Sequence, residues 1–275
     1  MEYGVYLSSL RELPADPRCL CAGEWQTLLP AAPLGAVYFG SEFCEDLLPE
    51  VAVVAGFCLW AEQAGVEAVL LTPVVTPSGL ALVERLLQAL AARDLAPAIL
   101  FNDWGVLSLL RHSFPGFSRR AGRLLNRGLR DPRLLDRAGI ADSTTLEPVG
   151  RLRSLLVEYG VEAVETDPDL EALYLGEKIA GLQRVLHFPY AFAATGRNCL
   201  VKSDGTASAA ECFTKGLGHP CPGHCRGRLH QVHRSDTEFP LWRAGNTLFY
   251  EVSPQLAKAH LAQADRVVLY ERPTP

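Results

Sequence analysis

The sequence predicts an α/β protein that folds as a TIM-like (β/α) barrel, which need not be regular, with a cysteine-rich segment in its C-terminal part. Three observations lead to this fold class. Short apolar or β-branched runs alternate with longer helical patterns, which is typical of βα units around a mainly parallel sheet. The chain has 275 residues, a length that suits a barrel. No glycine-rich phosphate loop opens a predicted helix, which argues against a dinucleotide-binding domain.

The first half of the chain contains three predicted strands and two predicted helices. In chain order these are a strand at 35–40, a helix at 47–64, a strand at 68–73, a helix at 79–92 and a strand at 97–101. Gly65 ends the first helix, because glycine readily adopts the left-handed conformation found at helix C-termini. Ser78 is the predicted N-cap of the second helix, whose leucines recur along one face.

The second half continues this alternation with one interruption. Its predicted elements are a helix at 152–160, a strand at 161–165, a helix at 169–182 and a strand at 184–188, followed within 239–270 by a further strand, a helix at 254–264 and a strand at 267–270. Residues 195–233 are rich in glycine, cysteine and histidine and have little helical period, so we expect a metal to order them. We find no internal repeat or linker, and therefore predict one barrel-like domain over 1–275 that includes this metal-binding segment.

Composition and charge restrict the class of protein. The formal charge of −5 is not that of a polycation that binds nucleic acid through its overall field. The first residues, MEYGVY, lack the basic start and apolar core of a secretory signal. No apolar run reaches the length that membrane insertion as a helix requires. We therefore expect a cytoplasmic protein. In this reducing compartment, clustered cysteines are more often metal ligands than disulfides.

Four of the eight cysteines lie within 27 residues, which is the strongest functional signal in the sequence. They are Cys199, Cys212, Cys221 and Cys225. The last two flank a Pro-Gly-His turn that can direct both sulfurs toward one point. Thiolates crowded in this way are costly unless a soft metal binds them, so we predict a metal centre on these four residues. Their spacing is neither that of a zinc ribbon nor that of a ferredoxin.

Two other interpretations of these cysteines stay open. Disulfides or buried apolar thiols would need no metal, although the expected compartment disfavours disulfides. A zinc site with mixed ligands is the second alternative, because His219 and His224 lie in the same segment. We favour sulfur ligands over histidine, since four thiolates are available and soft sulfur competes well for either metal.

Polar side chains follow several of the predicted strands. Glu42 follows the first strand, Asn102 and Asp103 end the third. Glu165 ends a later strand. In a barrel these strand ends meet at the C-terminal rim, where active sites are built, so we name these four side chains as candidate catalytic or substrate-positioning residues. Each could instead cap the helix that follows it, a role that also suits Asp167 before its proline.

Eight arginines make the stretch between positions 111 and 137 locally basic. They are Arg111, Arg119, Arg120, Arg123, Arg127, Arg130, Arg133 and Arg137. Arginine suits phosphate and carboxylate groups, so one interpretation is a surface for RNA or an anionic substrate. We prefer a solvated helix with salt bridges, because the spacing is only roughly helical.

Several short motifs resemble those of the collagenase-like peptidase family U-32. Residues 37–44, VYFGSEFC, are similar to the family's Tyr-Leu-Gly-Glu-x-x-Cys motif at the first barrel strand. Residues 102–106, NDWGV, are similar to its Asn-Asp-Leu-Gly segment. Residues 194–199, ATGRNC, resemble its Ser-x-Arg-Cys motif, and Cys221 with Cys225 resembles its later Cys-x-x-x-Cys pair. The likeness is greatest to the members that act in oxygen-independent ubiquinone biosynthesis.

The resemblance implies a TIM-like barrel that carries a [4Fe–4S] cluster on cysteines. It assigns the ligand role to Cys199, Cys221 and Cys225. The fourth ligand is Cys44 in the pattern of the ubiquinone-type members, and Cys212 in the pattern of the members that act on RNA. We choose Cys212, because it is an additional residue in an interval that is longer than the ubiquinone-type pattern, and we keep Cys44 as the alternative.

The function that follows from the resemblance is oxygen-independent hydroxylation of a ring-bearing small molecule or an RNA base. The chain would be an iron–sulfur hydroxylase or an essential component of one, and we expect a protein partner from the same family. One alternative is a structural zinc protein that binds a partner or nucleic acid. Another is a peptidase, although the sequence contains neither a Gly-x-Ser-x-Gly elbow nor a His-Glu-x-x-His helix.

Overall fold

Strands and helices alternate through most of the chain. The computed structural model describes residues 1–15, 25, 27–29, 32–125, 147–168, 181–197, 199, 201–202, 221, 223–237 and 239–275. Its strands are β1 Glu2–Tyr6, β2 Leu34–Gly40, β3 Glu67–Leu71, β4 Ala98–Phe101, β5 Arg119–Ala121, β6 Ala163–Thr166, β7 Gln183–Phe188, β8 Tyr190–Thr195, β9 His230–Val232, β10 Leu241–Ala244, β11 Thr247–Glu251 and β12 Arg266–Leu269. Its helices are α1 Val51–Ala64, α2 Pro77–Ala91, α3 Trp104–His112, α4 Glu147–Glu158 and α5 Pro254–Leu261.

Eight of the described strands form a closed barrel. Their order around it is β1-β2-β3-β4-β5-β6-β7-β12, and β12 pairs with β1 to close it. Each neighbouring pair is parallel. Helix α1 contacts β2 and β3 from outside, and α3 contacts β4 in the same way. The predicted fold class, a TIM-like α/β barrel, is therefore confirmed.

Side chains of the barrel strands alternate between two buried environments. On β2, Val37 and Phe39 belong to the large apolar core between strands and helices. Ala36 and Tyr38 instead belong to a smaller apolar cluster inside the barrel. The ring of Phe39 stacks on that of Phe57 in α1, with centroids 4.3 Å apart. Burial on both faces explains why these strands are near-continuous apolar runs in the sequence.

Helix α1 begins later than predicted. The expected start at 47 is wrong, because residues Glu45–Leu47 form a separate 3-10 turn and the α-helix starts at Val51. Pro49 lies between the two and disfavours a continuous helix through this point. No helix in the part of the chain that the structure describes combines the length and apolarity needed to cross a bilayer.

Helix α2 has a different N-cap from the predicted one. Thr76, not Ser78, is the N-cap, and the helix starts at Pro77. The hydroxyl oxygen of Thr76 accepts a hydrogen bond from the backbone N–H of Gly79 at 3.1 Å. Proline suits the first helical position because its missing N–H would have no helical partner there.

A second sheet, which the sequence did not predict, lies beside the C-terminal end of the barrel. It is antiparallel and its strand order is β8-β11-β10-β9. Phe192 of β8 and Phe249 of β11 pack against Phe43, which follows barrel strand β2. The sheet therefore covers the side of the barrel at which active sites are expected. The predicted helix at 169–182 lies almost wholly outside the described residues.

We predict that Gly40 is essential for the course of the chain at the end of β2. Its φ is +106°, and an added Cβ would lie 2.6 Å from the carbonyl oxygen of Leu71. Gly65 is a matched control, because its φ of +66° is also positive but nothing lies within 4 Å of its added Cβ.

In urea denaturation we expect Gly40→Ala to lower the free energy of unfolding by about 3 kcal/mol or more, since a backbone clash adds to the strain. Gly65→Ala should lower the free energy of unfolding by about 1 kcal/mol, which is the cost of the left-handed backbone conformation alone. Equal losses in the two variants would contradict the steric role of Leu71.

Candidate active site and candidate metal centre

The barrel interior contains a network of charged and polar side chains. Its members, which we call the interior network, are Tyr38, Glu67, Arg120, Glu165, His187, Arg266 and Tyr270. Glu165 lies at its centre. Arg120 Nε donates to Glu165 Oε1 at 2.8 Å, and His187 Nε2 donates to Glu165 Oε2 at 2.7 Å. All three side chains are buried, so the attraction between them is poorly screened by water.

The two arginines of the interior network share one carboxylate. Arg120 Nη1 lies 3.2 Å from Oε1 of Glu67, and Arg266 Nη1 lies 2.5 Å from its Oε2. Arg266 Nε also donates to Glu2 Oε1 at 2.7 Å. The side chains of Glu2 and Glu67 are 31% and 30% exposed, so this end of the network reaches solvent whereas Glu165 does not.

The charge of Glu165 determines which ring nitrogen of His187 donates a hydrogen bond to it. Burial raises the pKa of this carboxyl, but the charge of Arg120 and the hydrogen bond from His187 outweigh burial and lower the pKa to about 2. An ionised carboxylate only accepts hydrogen bonds, so Nε2 of His187 carries a hydrogen. In the neutral imidazole Nδ1 then accepts from the hydroxyl of Tyr270 at 2.8 Å. Burial raises the pKa of Tyr270 well above its ordinary value, so its hydroxyl keeps the proton and stays the donor in this pair.

A second group of polar side chains lies at the C-terminal mouth of the barrel. Its members, which we call the mouth cluster, are Glu42, Asn102, Arg123 and Asp167. Arg123 Nε donates to Glu42 Oε2 at 2.8 Å, and its Nη1 donates to Asp167 Oδ1 at 2.8 Å. The backbone N–H of Arg123 also donates to Glu42, at 3.0 Å. Asn102 Nδ2 donates to the carbonyl oxygen of Thr72 at 3.0 Å, which fixes the amide beside Glu42.

Aromatic side chains cover the mouth cluster. The guanidinium carbon of Arg123 lies 5.1 Å from the ring centroid of Phe43. That ring contacts Phe192 and Phe249 of the second sheet, with centroids 5.2 Å and 5.4 Å away. Arg123 and Glu42 are only 1% and 2% exposed as a result. The ion pairs of the mouth cluster thus form in a medium of low dielectric constant.

The structure distributes the four candidate catalytic residues over three environments. Glu42 and Asn102 meet in the mouth cluster. Glu165 lies deeper, in the interior network. Asp103 is at the start of α3, where its Oδ1 accepts a hydrogen bond from the N–H of Gly105 at 2.7 Å as the N-cap. Two of the four residues therefore share one site, and a third lies below it.

Two arginines of the candidate site were misassigned from the sequence. The prediction of a solvated helix is wrong for Arg120 and Arg123, because both are buried. Arg120 lies on β5, whose three residues are too few to display a strand pattern. Asp167, for which a helix cap was one interpretation, pairs with Arg123. The sequence did contain an electrostatic indication of these ion pairs. Carboxylates that are buried at a barrel rim need cationic partners, and the arginines nearest to the rim in the sequence can provide them.

Four described cysteines lie in one region beside the mouth cluster. They are Cys44, Cys199, Cys221 and Cys225, which we call the cysteine cluster. All are free thiols. The first follows β2, the second follows β8, and the other two precede β9. Cys212, one of the predicted ligands, lies outside the described residues.

The thiols of the cysteine cluster influence one another electrostatically. The pKa of Cys44 is raised to about 12, mainly by burial; the backbone hydrogen bond from Asp46 lowers it, and the charges of Asp46, Cys221 and Cys199 add to the rise. Burial likewise raises the pKa of Cys199 and Cys225, and Cys221 contributes to both shifts. The four sulfurs therefore share one neighbourhood.

The donor chemistry of this neighbourhood suits a soft metal. Thiolates that are buried together repel one another unless a cation neutralises them, and cysteine sulfur is the usual ligand of zinc and of iron–sulfur clusters. Among the described residues, no group of three or more His, Cys, Asp or Glu side chains is placed so that it could hold a metal ion. The residue types of the cysteine cluster are therefore those of an iron–sulfur or zinc ligand set, whereas the placement of its described side chains is not that of a formed metal site.

Comparison with known proteins gave structural likenesses only. No protein-family profile matches the chain, and no curated protein matches it in sequence. Among solved structures, the U32 peptidase Mk0906 is similar with a TM-score of 0.47 and 13% identity, over 100% of this chain and 94% of that chain. A glycoside hydrolase family 18 N-acetylglucosaminidase from Paenibacillus barengoltzii is similar with a TM-score of 0.38 and 10% identity, over 99% and 95% of the two chains. Likenesses of this degree do not assign a family, and the fold class rests on the strand order itself.

We predict that Glu165 makes the stability of the protein depend on pH below about 5. Its folded pKa of about 2 is below the unfolded value, so its ionised form stabilises the fold above about pH 4–5 and this contribution is lost as the pH falls toward 2. A shift of this size corresponds to ~3 kcal/mol, since one pKa unit is about 1.4 kcal/mol.

Glu165→Gln should therefore lower the free energy of unfolding at pH 7 by about 3–5 kcal/mol, because Arg120 loses a buried counter-charge. The variant should then lose less further stability than the wild type between pH 5 and pH 2, as measured by urea denaturation. Glu62→Gln, at an exposed position of α1, is the control and should change stability by less than about 0.5 kcal/mol. Parallel pH profiles for wild type and Glu165→Gln would contradict the assignment.

Proposed function

We propose that this protein is an iron–sulfur barrel protein similar to the U32 peptidase-like family, and that it acts in oxygen-independent hydroxylation. Its substrate is a ring-bearing small molecule or an RNA base. The observation that carries the proposal is the cysteine cluster, four free thiols gathered beside the mouth of a parallel barrel. The resemblance of the motifs around Cys44 and Cys199 to those of the U-32 family supports the same function.

In this proposal the cysteine cluster supplies the four ligands of a [4Fe–4S] centre. Cys199, Cys221 and Cys225 keep the ligand roles that the motif resemblance implies. We take Cys44 as the fourth in place of Cys212, because its thiol interacts electrostatically with those of Cys199 and Cys221. When bound, such a centre accepts and donates single electrons.

The mouth cluster is the part of the barrel that suits substrate binding. Arg123 presents a guanidinium held between two carboxylates, and Asn102 presents an amide beside it. Phe43 and Phe192 offer ring faces on which a phenolic ring or a base can stack. Phe43 directly precedes Cys44, so a ring bound against it lies next to the proposed iron–sulfur centre. The aromatic cover must move for the substrate to reach Arg123, because the mouth cluster is buried.

The interior network supplies groups that can hold a proton below the substrate. Conversion of a ring C–H to C–OH with water as the oxygen source would release two electrons and two protons, so the reaction would need an electron acceptor, reached through the proposed centre, and groups that hold protons. The ring of Tyr270 lies 5.4 Å from the guanidinium carbon of Arg123, directly beneath the mouth cluster. Its hydroxyl holds a proton there, because burial raises the pKa of Tyr270 well above its ordinary value, and donates it in a hydrogen bond to His187, which Glu165 orients.

The proposal is tested by metal analysis after anaerobic purification of the full chain. We expect a brown protein with about four iron and four sulfide ions per chain and broad visible absorption, as for a [4Fe–4S] protein. A colourless protein that contains zinc would contradict the proposal and would support a structural zinc protein. A chain that binds neither metal after reconstitution would contradict both functions.

We predict that Cys44 is required for the iron–sulfur centre and Cys212 is not. Cys44→Ser should lower the iron and sulfide content about fivefold or more after anaerobic reconstitution, because a hydroxyl is a poor ligand for a soft site. Cys212→Ser should retain the wild-type content. Cys58→Ser is the control, since this thiol is buried in α1 and belongs to the apolar core. Loss of iron in Cys212→Ser but not in Cys44→Ser would contradict this prediction and would support Cys212 as the fourth ligand, as the sequence analysis favoured.

A further inference from the structure

The turn between β10 and β11 contacts the segments that carry the cysteine cluster. It is a two-residue hairpin turn, because Ala244 and Thr247 are the last paired residues on either side of it. Its first central residue, Gly245, has a φ of +58°, as a type II′ turn requires. The second central residue is Asn246. Its side chain contacts two segments that lie outside the hairpin.

The side chain of Asn246 bridges two backbone segments. Its Nδ2 donates to the carbonyl oxygen of Phe43 at 2.6 Å and to that of Gly196 at 2.8 Å. Its Oδ1 accepts a hydrogen bond from the hydroxyl of Thr247 at 3.2 Å. The two carbonyl groups determine the orientation of the amide, because only its NH₂ group can donate to both. One planar group thus joins the end of β2 to the end of β8.

Each contact of the turn lies next to a cysteine. The first carbonyl belongs to the residue before Cys44, and the second belongs to the residue three positions before Cys199. A Cβ added to Gly245 would lie 3.5 Å from the Cβ of Cys225, so the backbone of the turn packs against that residue as well. The turn therefore contacts the immediate surroundings of three of the four thiols.

A soft-metal site on loops needs such a contact for an energetic reason. Ordering a flexible loop when a ligand binds subtracts from the binding free energy, and a site that is ordered beforehand avoids that cost. The segments that carry Cys44 and Cys199 are far apart in sequence. Hydrogen bonds from one shared side chain fix their separation before any metal is bound.

We propose that Asn246 is the positioning residue of the cysteine cluster. It holds the segments of Cys44 and Cys199 at a fixed spacing, while Gly245 provides the surface on which Cys225 packs. The role of this spacing in metal binding rests on the proposed function. The spacing itself is a property of the metal-free chain and can be measured without metal.

Two variants and one control test this role in the full-length chain. Asn246→Asp places a carboxylate against two carbonyl oxygens, which converts two attractive contacts into repulsive ones. Asn246→Ala only removes the amide. Thr195→Val is the matched control, because it removes the 2.8 Å hydrogen bond between Thr195 and Thr247 at the same end of the sheet and touches neither carbonyl.

The readout is cross-linking of the reduced, metal-free protein with a short bismaleimide, followed by proteolysis and mass spectrometry. We expect the yield of the Cys44–Cys199 cross-link to fall about fivefold in Asn246→Asp and about two- to threefold in Asn246→Ala, in keeping with the loss of two hydrogen bonds. In Thr195→Val the yield should stay within about twofold of wild type, because both hydrogen bonds from Asn246 to the carbonyl groups stay in place. Circular dichroism verifies that each variant is folded.

Wild-type yields of this cross-link in both Asn246 variants would overturn the proposal, as would its absence from the wild-type chain. If Asn246→Asp does not fold, Asn246→Ala decides by the same criterion. Iron analysis of the same preparations separates this inference from the proposed function. A wild-type chain without iron contradicts the function and leaves the cross-linking result standing, whereas unchanged cross-linking contradicts the role of Asn246 even when iron is bound.

Discussion

Ion pairs between arginine and carboxylate side chains inside the barrel are the interaction on which the rest of the structure depends. Arg120 and Arg123 lie on or just after β5, and each meets carboxylates from other strands or strand ends. A charge buried without its partner would strongly destabilise the fold, so the strands must close in the register that brings these groups together. The same contacts that close the barrel also build the mouth cluster and the interior network. Stability and the candidate chemistry therefore share one set of residues.

Three consecutive residues after β2 join the parts of the candidate site. Glu42 pairs with Arg123, Phe43 packs into the aromatic cover, and Cys44 lies in the cysteine cluster. Asn246 then binds the carbonyl group in the middle of this segment. The backbones of three consecutive residues cannot move independently by large distances. A backbone shift at Cys44 is therefore transmitted to Glu42 in the mouth cluster. Substrate binding and metal binding are thus mechanically coupled in the proposed function.

The accuracy of the sequence prediction followed the local strength of each pattern. The strands predicted at 35–40, 68–73, 97–101, 184–188 and 267–270 correspond to β2, β3, β4, β7 and β12. Strands buried on both faces are apolar runs and are therefore visible in the sequence. Strand β5 was missed because two of its three residues are arginines. The strand expected at the start of 239–270 lies in the hairpin of β10 and β11, but the pairing of that hairpin with β8 and β9 is a tertiary contact that an apolar run does not reveal.

By itself the sequence determined the class of fold and the presence of clustered thiols, because alternating apolar runs, helical periods and cysteine spacing are local properties of the chain. Only the tertiary structure decided that Glu42 and Asn102 meet Arg123, and that Glu165 lies with Arg120 and His187. It also decided that Cys44 joins the cysteines of the C-terminal part. These contacts join residues far apart in the chain, and their distances are set by closure of the barrel and by docking of the second sheet, which no local pattern encodes.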